Sequence, residues 1–262
     1  MSKPKILVLT GQGINCDRET ARAFEEAGAK SYLTLISSLI SGEVSLDDYD
    51  GLALPGGFAN ADDIAAGRIM GINLEHSVGG VYKLIEDGKI IVGICNGFQF
   101  MIDMGMLPAT DGDYKKHQAS LITNESGMFR DDWVNLEVNE NSPCIFTKDV
   151  DKIYLPIRHG EGYFWAPGDV IEKMNQQNQV LMRYVGPDGE RNPGHPHNPN
   201  GSIDGIAAIC DPTGRIYGGM PHPEAANKVH HYPRWTRDHA EAEENADKAR
   251  QMFKNVVDYL TG

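Results

Sequence analysis

The sequence predicts an α/β protein built on a doubly wound, mostly parallel sheet with added antiparallel strands. In the first third of the chain, short apolar runs alternate with segments of helical periodicity, and glycine or proline turns separate them. The run at 90–92 is apolar at every position, as in a strand buried on both faces of a parallel sheet. From about 120 to 185 the runs stay short while helical periodicity fades, which indicates antiparallel strands on the same sheet.

The alternating elements of the first third follow in chain order. Ala21, Phe24 and Ala27 have helical spacing, and Gly28 is placed to end that helix. The predicted strands are Lys5–Leu9, Ser31–Ile36, Gly51–Leu54 and Ile90–Val92, and the predicted helices are Asp17–Ala27, Asn73–Glu86 and Phe98–Met104.

The rest of the chain continues with strands and closes on a helix. The segment Gly186–Gly201 is rich in proline and glycine, so we expect a surface loop there. An apolar stripe from Ala246 to Leu260 predicts a long C-terminal helix at about 238–260. We expect residues 1–262 to form a single domain. The strands predicted in this part are Val134–Val138, Ile153–Leu155, Gln179–Tyr184, Ile206–Ile209 and Arg215–Tyr217.

Charge and cysteine content exclude several classes of protein. Lys and Arg number 24 against 37 Asp and Glu, a net charge of −13, which argues against nucleic acid or an anionic membrane as partner. The apolar run at 6–9 is too short for a signal sequence or a membrane span, so we expect a cytoplasmic protein. The four cysteines form no C-x-x-C pair, so we predict neither a disulfide framework nor a metal site.

The motif Gly93-Ile94-Cys95-Asn96-Gly97 joins an apolar strand to a short helix. This is the nucleophile-elbow pattern with cysteine in the place of serine. Glycines two residues before and two after the nucleophile leave room for a tight, strained turn. The helix N-terminus offers N–H groups that favour a thiolate and a developing oxyanion. We therefore predict Cys95 as a nucleophile, although a lone cysteine at a strand end is more often an inert core residue.

A cysteine nucleophile needs a base, and the base needs an orienting group. Among nine histidines, His222 stands out because prolines flank it and Glu224 follows two residues later, just after the strand at 215–217. In an extended segment, His222 and Glu224 would lie on the same side. The carboxylate could then accept from one imidazole nitrogen while the other nitrogen faces the thiol.

The turn Pro55-Gly56-Gly57 follows the strand at 51–54, at the sheet edge where doubly wound folds bind ligands. Its backbone N–H groups are unobstructed by side chains. We predict that the N–H groups of Gly57 and Asn96 together form an oxyanion hole.

In this order, the three motifs resemble those of the class I (triad) glutamine amidotransferases, which have a flavodoxin-like fold. Finer motifs resemble one branch, the glutaminase subunits of phosphoribosylformylglycinamidine synthase. These motifs are Asn15–Glu19, Gly93–Gln99, Pro156–Gly162, Asn198–Ser202 and Met220–Glu224. Two positions depart from the branch pattern: Met128 stands where many relatives have arginine, and Ala225 follows the His-Pro-Glu motif where arginine is common.

The resemblance implies roles for these residues. Cys95 would be the nucleophile, His222 the general acid/base and Glu224 its orienter. The oxyanion hole would again be Gly57 and Asn96. Glutamine would be the substrate, with the contacts Gln99, Phe58 and His159.

The resemblance also implies partners. The ammonia would pass to a synthetase subunit that amidates formylglycinamide ribonucleotide in purine biosynthesis, in a complex with a small accessory subunit. No phosphate-binding G-x-x-x-x-G-K-[ST] motif occurs, so ATP and Mg²⁺ are expected on the synthetase and no cofactor on this chain. The alternative is a stand-alone glutaminase or γ-glutamyl hydrolase of the same fold. A catalytically inactive binding subunit would need a broken triad, and this triad is intact.

Overall fold

A nine-stranded sheet forms the centre of the computed structural model, which describes residues 2–58 and 80–262. The strand order is β2-β1-β3-β4-β11-β10-β9-β6-β7, and β5 and β8 form a separate two-stranded ribbon. The strands are β1 Lys5–Thr10, β2 Lys30–Leu35, β3 Gly51–Leu54, β4 Ile90–Ile94, β5 Ser120–Ile122, β6 Arg130–Val138, β7 Lys152–His159, β8 Tyr163–Trp165, β9 Val180–Val185, β10 Ile206–Cys210 and β11 Ile216–Gly219.

The sheet has a parallel half and an antiparallel half. Strands β2, β1, β3, β4 and β11 run parallel to one another, and β10, β9, β6 and β7 continue the sheet with antiparallel pairings. The predicted α/β sheet with added antiparallel strands is therefore confirmed. In register, Leu54 lies beside Gly93 and Gly219 beside Ile94. The carboxyl ends of β3, β4 and β11 thus meet at one edge of the sheet.

Six α-helices lie within the described ranges 2–58 and 80–262. They are α1 Asp17–Glu26, α2 Ile36–Ile40, α3 Val81–Glu86, α4 Asn96–Asp103, α5 Gly168–Gln176 and α6 His239–Thr261. Residues 73–79 of the helix predicted at 73–86 fall outside the described residues. Helices α2 and α5 were not predicted. In α5 only Val170 and Met174 are buried, so its apolar stripe is too sparse to reveal helical periodicity.

Helix α6 occupies the segment for which the sequence predicts a long C-terminal helix. Phe253 meets Phe24 of α1 edge-to-face at 5.0 Å between ring centroids, and it meets Phe146 in the same way at 5.3 Å. Asn245 exchanges two hydrogen bonds with the backbone of Tyr154 in β7. The helix therefore ties α1, beside the parallel strands, to the last antiparallel strand.

The antiparallel strands differ from the predictions in length. Strands β6 and β7 pair over eight residue positions, well beyond the predicted 134–138 and 153–155. The first four residues of β6 are exposed or half-buried, and the alternation of buried with polar residues begins only at Val134, so the sequence signals only the second half of the strand. The ribbon of β5 and β8 was missed because each of its strands has only three residues.

None of the helices within the described ranges is both long enough and apolar enough to cross a membrane.

Candidate active site

Cys95 lies between the end of β4 and the start of α4, as the elbow motif predicts. Its backbone has φ 51° and ψ −107°, a conformation that a residue with a Cβ rarely adopts and that carries strain. The N–H of Cys95 donates to the carbonyl of Gly219 at 2.8 Å, and its carbonyl accepts the N–H of Gln99 at 3.0 Å. The side chain is buried. These bonds at both sides hold the turn in its strained geometry.

The glycines on either side of Cys95 are there because no side chain fits. A Cβ on Gly97 would overlap the carbonyl of Leu54, the last residue of β3. A Cβ on Gly93 would overlap the sulfur of Met101 in α4. The elbow can therefore sit against β3 only with glycine at 97, and a Cβ on Gly93 would also crowd the backbone of Gly97 at 3.0 Å.

Replacing Gly97 with alanine should destabilise the protein strongly. The new methyl group meets rigid backbone, so β3 and the elbow must separate, which costs on the order of 1–3 kcal/mol of unfolding free energy. Urea denaturation of wild type and variant measures the change. Gly168→Ala is the matched control, because no atom lies within 4 Å of a Cβ built at Gly168. Equal midpoints for Gly97→Ala and wild type would contradict the packing described here.

His222 and Glu224 follow β11 and lie against the same edge of the sheet. The Nδ1 of His222 is 2.6 Å from Oε1 of Glu224, and both side chains are buried. The backbone N–H of His222 donates to the carbonyl of Pro156 in β7 at 2.9 Å. The expectation of an extended segment was wrong, because Pro223–Ala225 forms a 3₁₀ turn that begins with the proline. This turn brings the carboxylate back onto the imidazole.

Burial and charge act in opposite directions on His222. Burial alone would lower its pKa, but the Glu224 carboxylate and hydrogen-bond contacts with the Cys16 and Cys95 sulfurs raise the pKa of His222 well above its usual range. The site therefore stabilises an imidazolium.

Gly56 marks the point where the three motifs meet. A Cβ built on Gly56 would lie 2.7 Å from Cε1 of His222, 3.3 Å from Cβ of Cys95 and 3.4 Å from Sγ of Cys16. The structure thus brings Cys95, His222 and Glu224 together, as predicted. It adds to this cluster Cys16, a residue predicted only as part of the motif Asn15–Glu19. The available signal was that Cys16 follows β1, a strand whose carboxyl end lies at the same sheet edge.

The two residues predicted for the oxyanion hole lie on adjoining segments. Backbone hydrogen bonds hold the residues on either side of Gly57. The N–H of Phe58 donates to the carbonyl of Gly13 at 2.7 Å, and the carbonyl of Gly56 accepts the N–H of Asn15 at 3.4 Å. Gly57 has φ 156°, and a Cβ there would overlap the carbonyl of Gly13. The contact of Gly97 with β3 sets Asn96 beside the strand that leads into this loop. An oxyanion role for the two N–H groups stays a prediction.

Gln99, a predicted substrate contact, joins the elbow helix to the loop after β7. Its Nε2 donates to the carbonyl of Glu161 at 2.8 Å, and its Oε1 accepts from Nδ2 of Asn96 at 2.9 Å. Phe58, also predicted to contact substrate, packs against Phe129 with ring centroids 5.9 Å apart. Gln99 therefore lies on the elbow helix and Phe58 on the loop that follows β3. Contact of either residue with a substrate stays a prediction.

His159, the third predicted contact, ends β7 and is fully enclosed. Its Nδ1 lies 3.2 Å from Oδ1 of Asn124, and a Cβ on Gly162 would overlap the ring. Burial and the neighbouring positive charge of His222 lower the pKa of His159 to about 3. The ring is therefore neutral, and its Nε2 has no hydrogen-bond partner among the described residues.

Two buried amides, which no sequence pattern marked as functional, hold the loop at 160–162. Asn124 binds the carbonyl of His159 and the N–H of Gly162. Asn200 donates to the carbonyl of Gly162 at 2.7 Å and is completely buried. The prediction that 186–201 is entirely a surface loop was therefore wrong at its end. Polar asparagine looks like loop sequence, but here it satisfies backbone groups that burial removes from water.

Cys16, His222 and Glu224 each offer a donor atom, and these atoms lie within 4.8 Å of one another. A metal ion could bridge such a spacing. However, the 2.6 Å hydrogen bond already occupies Nδ1 of His222, and burial raises the pKa of the Cys16 thiol, which keeps it protonated. His222 and Cys16 therefore carry protons where a metal ion would need free donor atoms. The absence of a metal from this chain stays a prediction.

A strained cysteine elbow beside a buried His–Glu pair, on a sheet of this topology, is the arrangement of the class of cysteine-dependent triad amidotransferases. The chain belongs to the family of CobB/CobQ-like glutamine amidotransferase domains, whose family model matches residues 3–260. It is similar to the phosphoribosylformylglycinamidine synthase subunit PurQ of Methanococcus maripaludis, with 37% identity over 98% of this chain and 97% of the relative. The subunit of the same name from Dehalococcoides mccartyi is 39% identical over 98% of both chains.

Solved structures agree with the sequence comparison. A chain in the structure of PurLQS from Thermotoga maritima matches with a TM-score of 0.72 and 30% identity, over 99% of this chain and all of that one. A glutamine amidotransferase from the same organism matches with a TM-score of 0.58 at 14% identity, which shows a common fold alone. The family predicted from the motifs is therefore confirmed.

Proposed function

We propose that this protein is the glutaminase subunit of a phosphoribosylformylglycinamidine synthase. It would hydrolyse glutamine to glutamate and ammonia and supply the ammonia to a synthetase that amidates formylglycinamide ribonucleotide with ATP. The observation that carries the proposal is Cys95 on a strained elbow, beside a buried His222 that is paired to Glu224 at 2.6 Å. The similarity to named synthase subunits over nearly the whole chain supports this choice of reaction.

In the first half-reaction, the Cys95 thiolate attacks the side-chain amide carbon of glutamine. A C–S bond forms, and the carbonyl electrons move onto the oxygen. His222 donates its proton to the amide nitrogen, the C–N bond breaks, and ammonia leaves. A γ-glutamyl thioester remains on Cys95. The raised pKa of His222 suits this step, because the imidazolium holds the proton that the leaving group needs.

In the second half-reaction, neutral His222 accepts a proton from water as the water oxygen attacks the thioester carbon. The C–S bond breaks, glutamate leaves, and the thiolate–imidazolium pair is restored. Glu224 accepts from Nδ1 throughout and so orients the ring. Each step uses Nε2 of His222 as the proton carrier, because Nδ1 is paired with Glu224.

The developing oxyanion would be held by the N–H groups of Gly57 and Asn96, preorganised by the contacts around each loop. Gln99 would present the loop at 160–162 to the substrate, since its amide bridges the elbow helix and Glu161. Phe58 would line the pocket entrance. The neutral, buried His159 would support the pocket wall through Gly162.

The partners follow from the chemistry that this chain lacks. An acidic chain of net charge −13 without a phosphate-binding loop suits a zwitterionic amino acid, so we place ATP, Mg²⁺ and the phosphorylated substrates on the synthetase. No cofactor is proposed for this chain. The complex would also include a small accessory subunit, which the name PurLQS of the Thermotoga maritima structure supports. We propose that the chain acts as a single domain in the cytoplasm.

Glutamate release by the purified chain, with and without the synthetase subunit of the same organism, tests this function. We expect weak release from the chain alone and a several-fold rise in the complex with its nucleotide substrates. The alternative is a stand-alone glutaminase or γ-glutamyl hydrolase. Full turnover of glutamine or a γ-glutamyl peptide by the chain alone, unchanged by the synthetase, would favour that alternative and contradict the proposal.

A further inference from the structure

Cys16 is a second buried cysteine whose backbone is fixed beside the elbow. It directly precedes α1, and its carbonyl accepts hydrogen bonds from both the N–H and the hydroxyl of Thr20, at 3.0 and 2.7 Å. Its own N–H donates to the carbonyl of Gly56 at 3.1 Å. The position of the Cys16 side chain is therefore set by α1 on one side and by the Pro-Gly-Gly turn on the other.

The sulfur of Cys16 faces the imidazole of His222. Sγ lies 3.9 Å from Nδ1 of His222, the nitrogen that also meets Glu224. On its other side, the thiol donates to Oδ1 of Asn15 at 3.3 Å. With its proton directed to Asn15, the sulfur presents lone pairs to the N–H of the ring.

We propose that Cys16 is a positioning residue that works with Glu224 to hold the His222 ring so that Nε2 faces Cys95. A ring held by one hydrogen bond can pivot about the line from Nδ1 to Oε1. The sulfur of Cys16, 3.9 Å from Nδ1, and the backbone of Gly56, where a Cβ would lie 2.7 Å from Cε1, both lie against the ring and limit that pivot. This inference rests on the proposed function, because it assigns a purpose to the orientation of the general acid/base.

The chemistry of Cys16 fits a supporting contact and not a second nucleophile. Burial raises the pKa of the Cys16 thiol, and the nearby Glu224 and Glu19 carboxylates raise it further, against the lowering contact with His222. The groups that face His222 are Glu224, Cys16 and Cys95 by direct contact and His159 by charge. Of these, Cys16 has no role in the two half-reactions, so it can be changed without removing a reacting group.

Steady-state glutaminase kinetics of Cys16→Ala and Cys16→Ser in the complex with the synthetase test the proposal. In Cys16→Ala we expect kcat to fall by about 10- to 100-fold with little change in KM, the cost of misplacing a reacting group by about 1 Å. Loss of the sulfur contact also lowers the pKa of His222, so the limb of the pH profile that reports loss of the imidazolium proton moves to lower pH. Cys16→Ser refills the space and should recover most of the rate.

Cys144→Ala is the matched control, because Cys144 is equally buried but lies in the core beside Cys210. It should lose stability without moving the pH profile. The proposal is overturned if Cys16→Ala keeps the wild-type rate and profile. It is also overturned if the rate falls with no change in the profile and serine fails to restore it, which is the pattern of a general packing defect. Either result leaves the proposed function intact as long as the wild-type complex hydrolyses glutamine.

Discussion

Cys95→Ala is expected to abolish glutamine hydrolysis, with kcat falling by on the order of 10⁴- to 10⁶-fold, as for loss of other covalent nucleophiles. The methyl group cannot form the thioester, and nothing else on the elbow can replace the sulfur. Because Cys95 is buried and its backbone bonds to Gly219 and Gln99 do not use the side chain, the variant should still fold. Glutamate release under saturating glutamine measures the loss.

Cys144→Ala serves again as the control, since it removes a buried thiol far along the chain from the elbow and should retain turnover. A Cys95→Ala protein that hydrolyses glutamine within tenfold of the wild-type rate would rule out covalent catalysis at this position.

Glu224→Gln should lower kcat by about 10⁴-fold, the loss seen when a triad carboxylate is replaced by its amide. The amide has the same shape, but its NH₂ group can turn toward Nδ1 of His222. The proton then moves to Nε2, which can no longer accept one from water. The 2.6 Å contact between the two buried side chains places the amide within hydrogen-bond reach of Nδ1.

The same variant should change the pH dependence in a defined direction. Burial lowers the pKa of His222, and the negative charge of Glu224 makes the largest contribution that raises it. Without the carboxylate, burial dominates, the pKa of His222 falls, and the imidazolium is lost at lower pH. The corresponding limb of the residual kcat/KM profile therefore moves to lower pH.

Glu140→Gln, on an exposed turn, is the isosteric control for Glu224→Gln and should leave both the rate and the profile unchanged. Retention of the wild-type profile in Glu224→Gln would show that the carboxylate does not orient or charge the imidazole, contrary to the mechanism.

The elbow could be predicted from the sequence because its requirements are local. A side chain at position 97 would overlap the carbonyl of Leu54, and one at position 93 would overlap Met101, so glycine at both positions marks the close packing of the elbow. Likewise, the apolar runs of β3 and β4 are buried at every position, so their pattern predicts central parallel strands. Where a local steric requirement admits only one residue type, the sequence is sufficient to predict the local structure.

Contacts between distant segments could not be predicted in this way. Cys16 and His222 are 206 residues apart in the chain, and only the order of the parallel strands brings them within 3.9 Å. The carbonyl of Arg158, at the end of the last strand in the sheet order, lies 3.7 Å from Sγ of Cys95. The two residues lie at the ends of β7 and β4, which are separated by four other strands in the sheet order, and no local residue pattern predicts that approach.

The central claim is that Cys95 is needed to release ammonia from glutamine but not to use ammonia. The most direct test reconstitutes the complex with the synthetase and Cys95→Ala and measures product formation from glutamine and, separately, from ammonium salts. We predict that the glutamine-dependent rate is lost while the ammonium-dependent rate equals that of the wild-type complex. Product formation from glutamine at the wild-type rate would contradict the claim, and so would loss of both rates in a complex that still assembles.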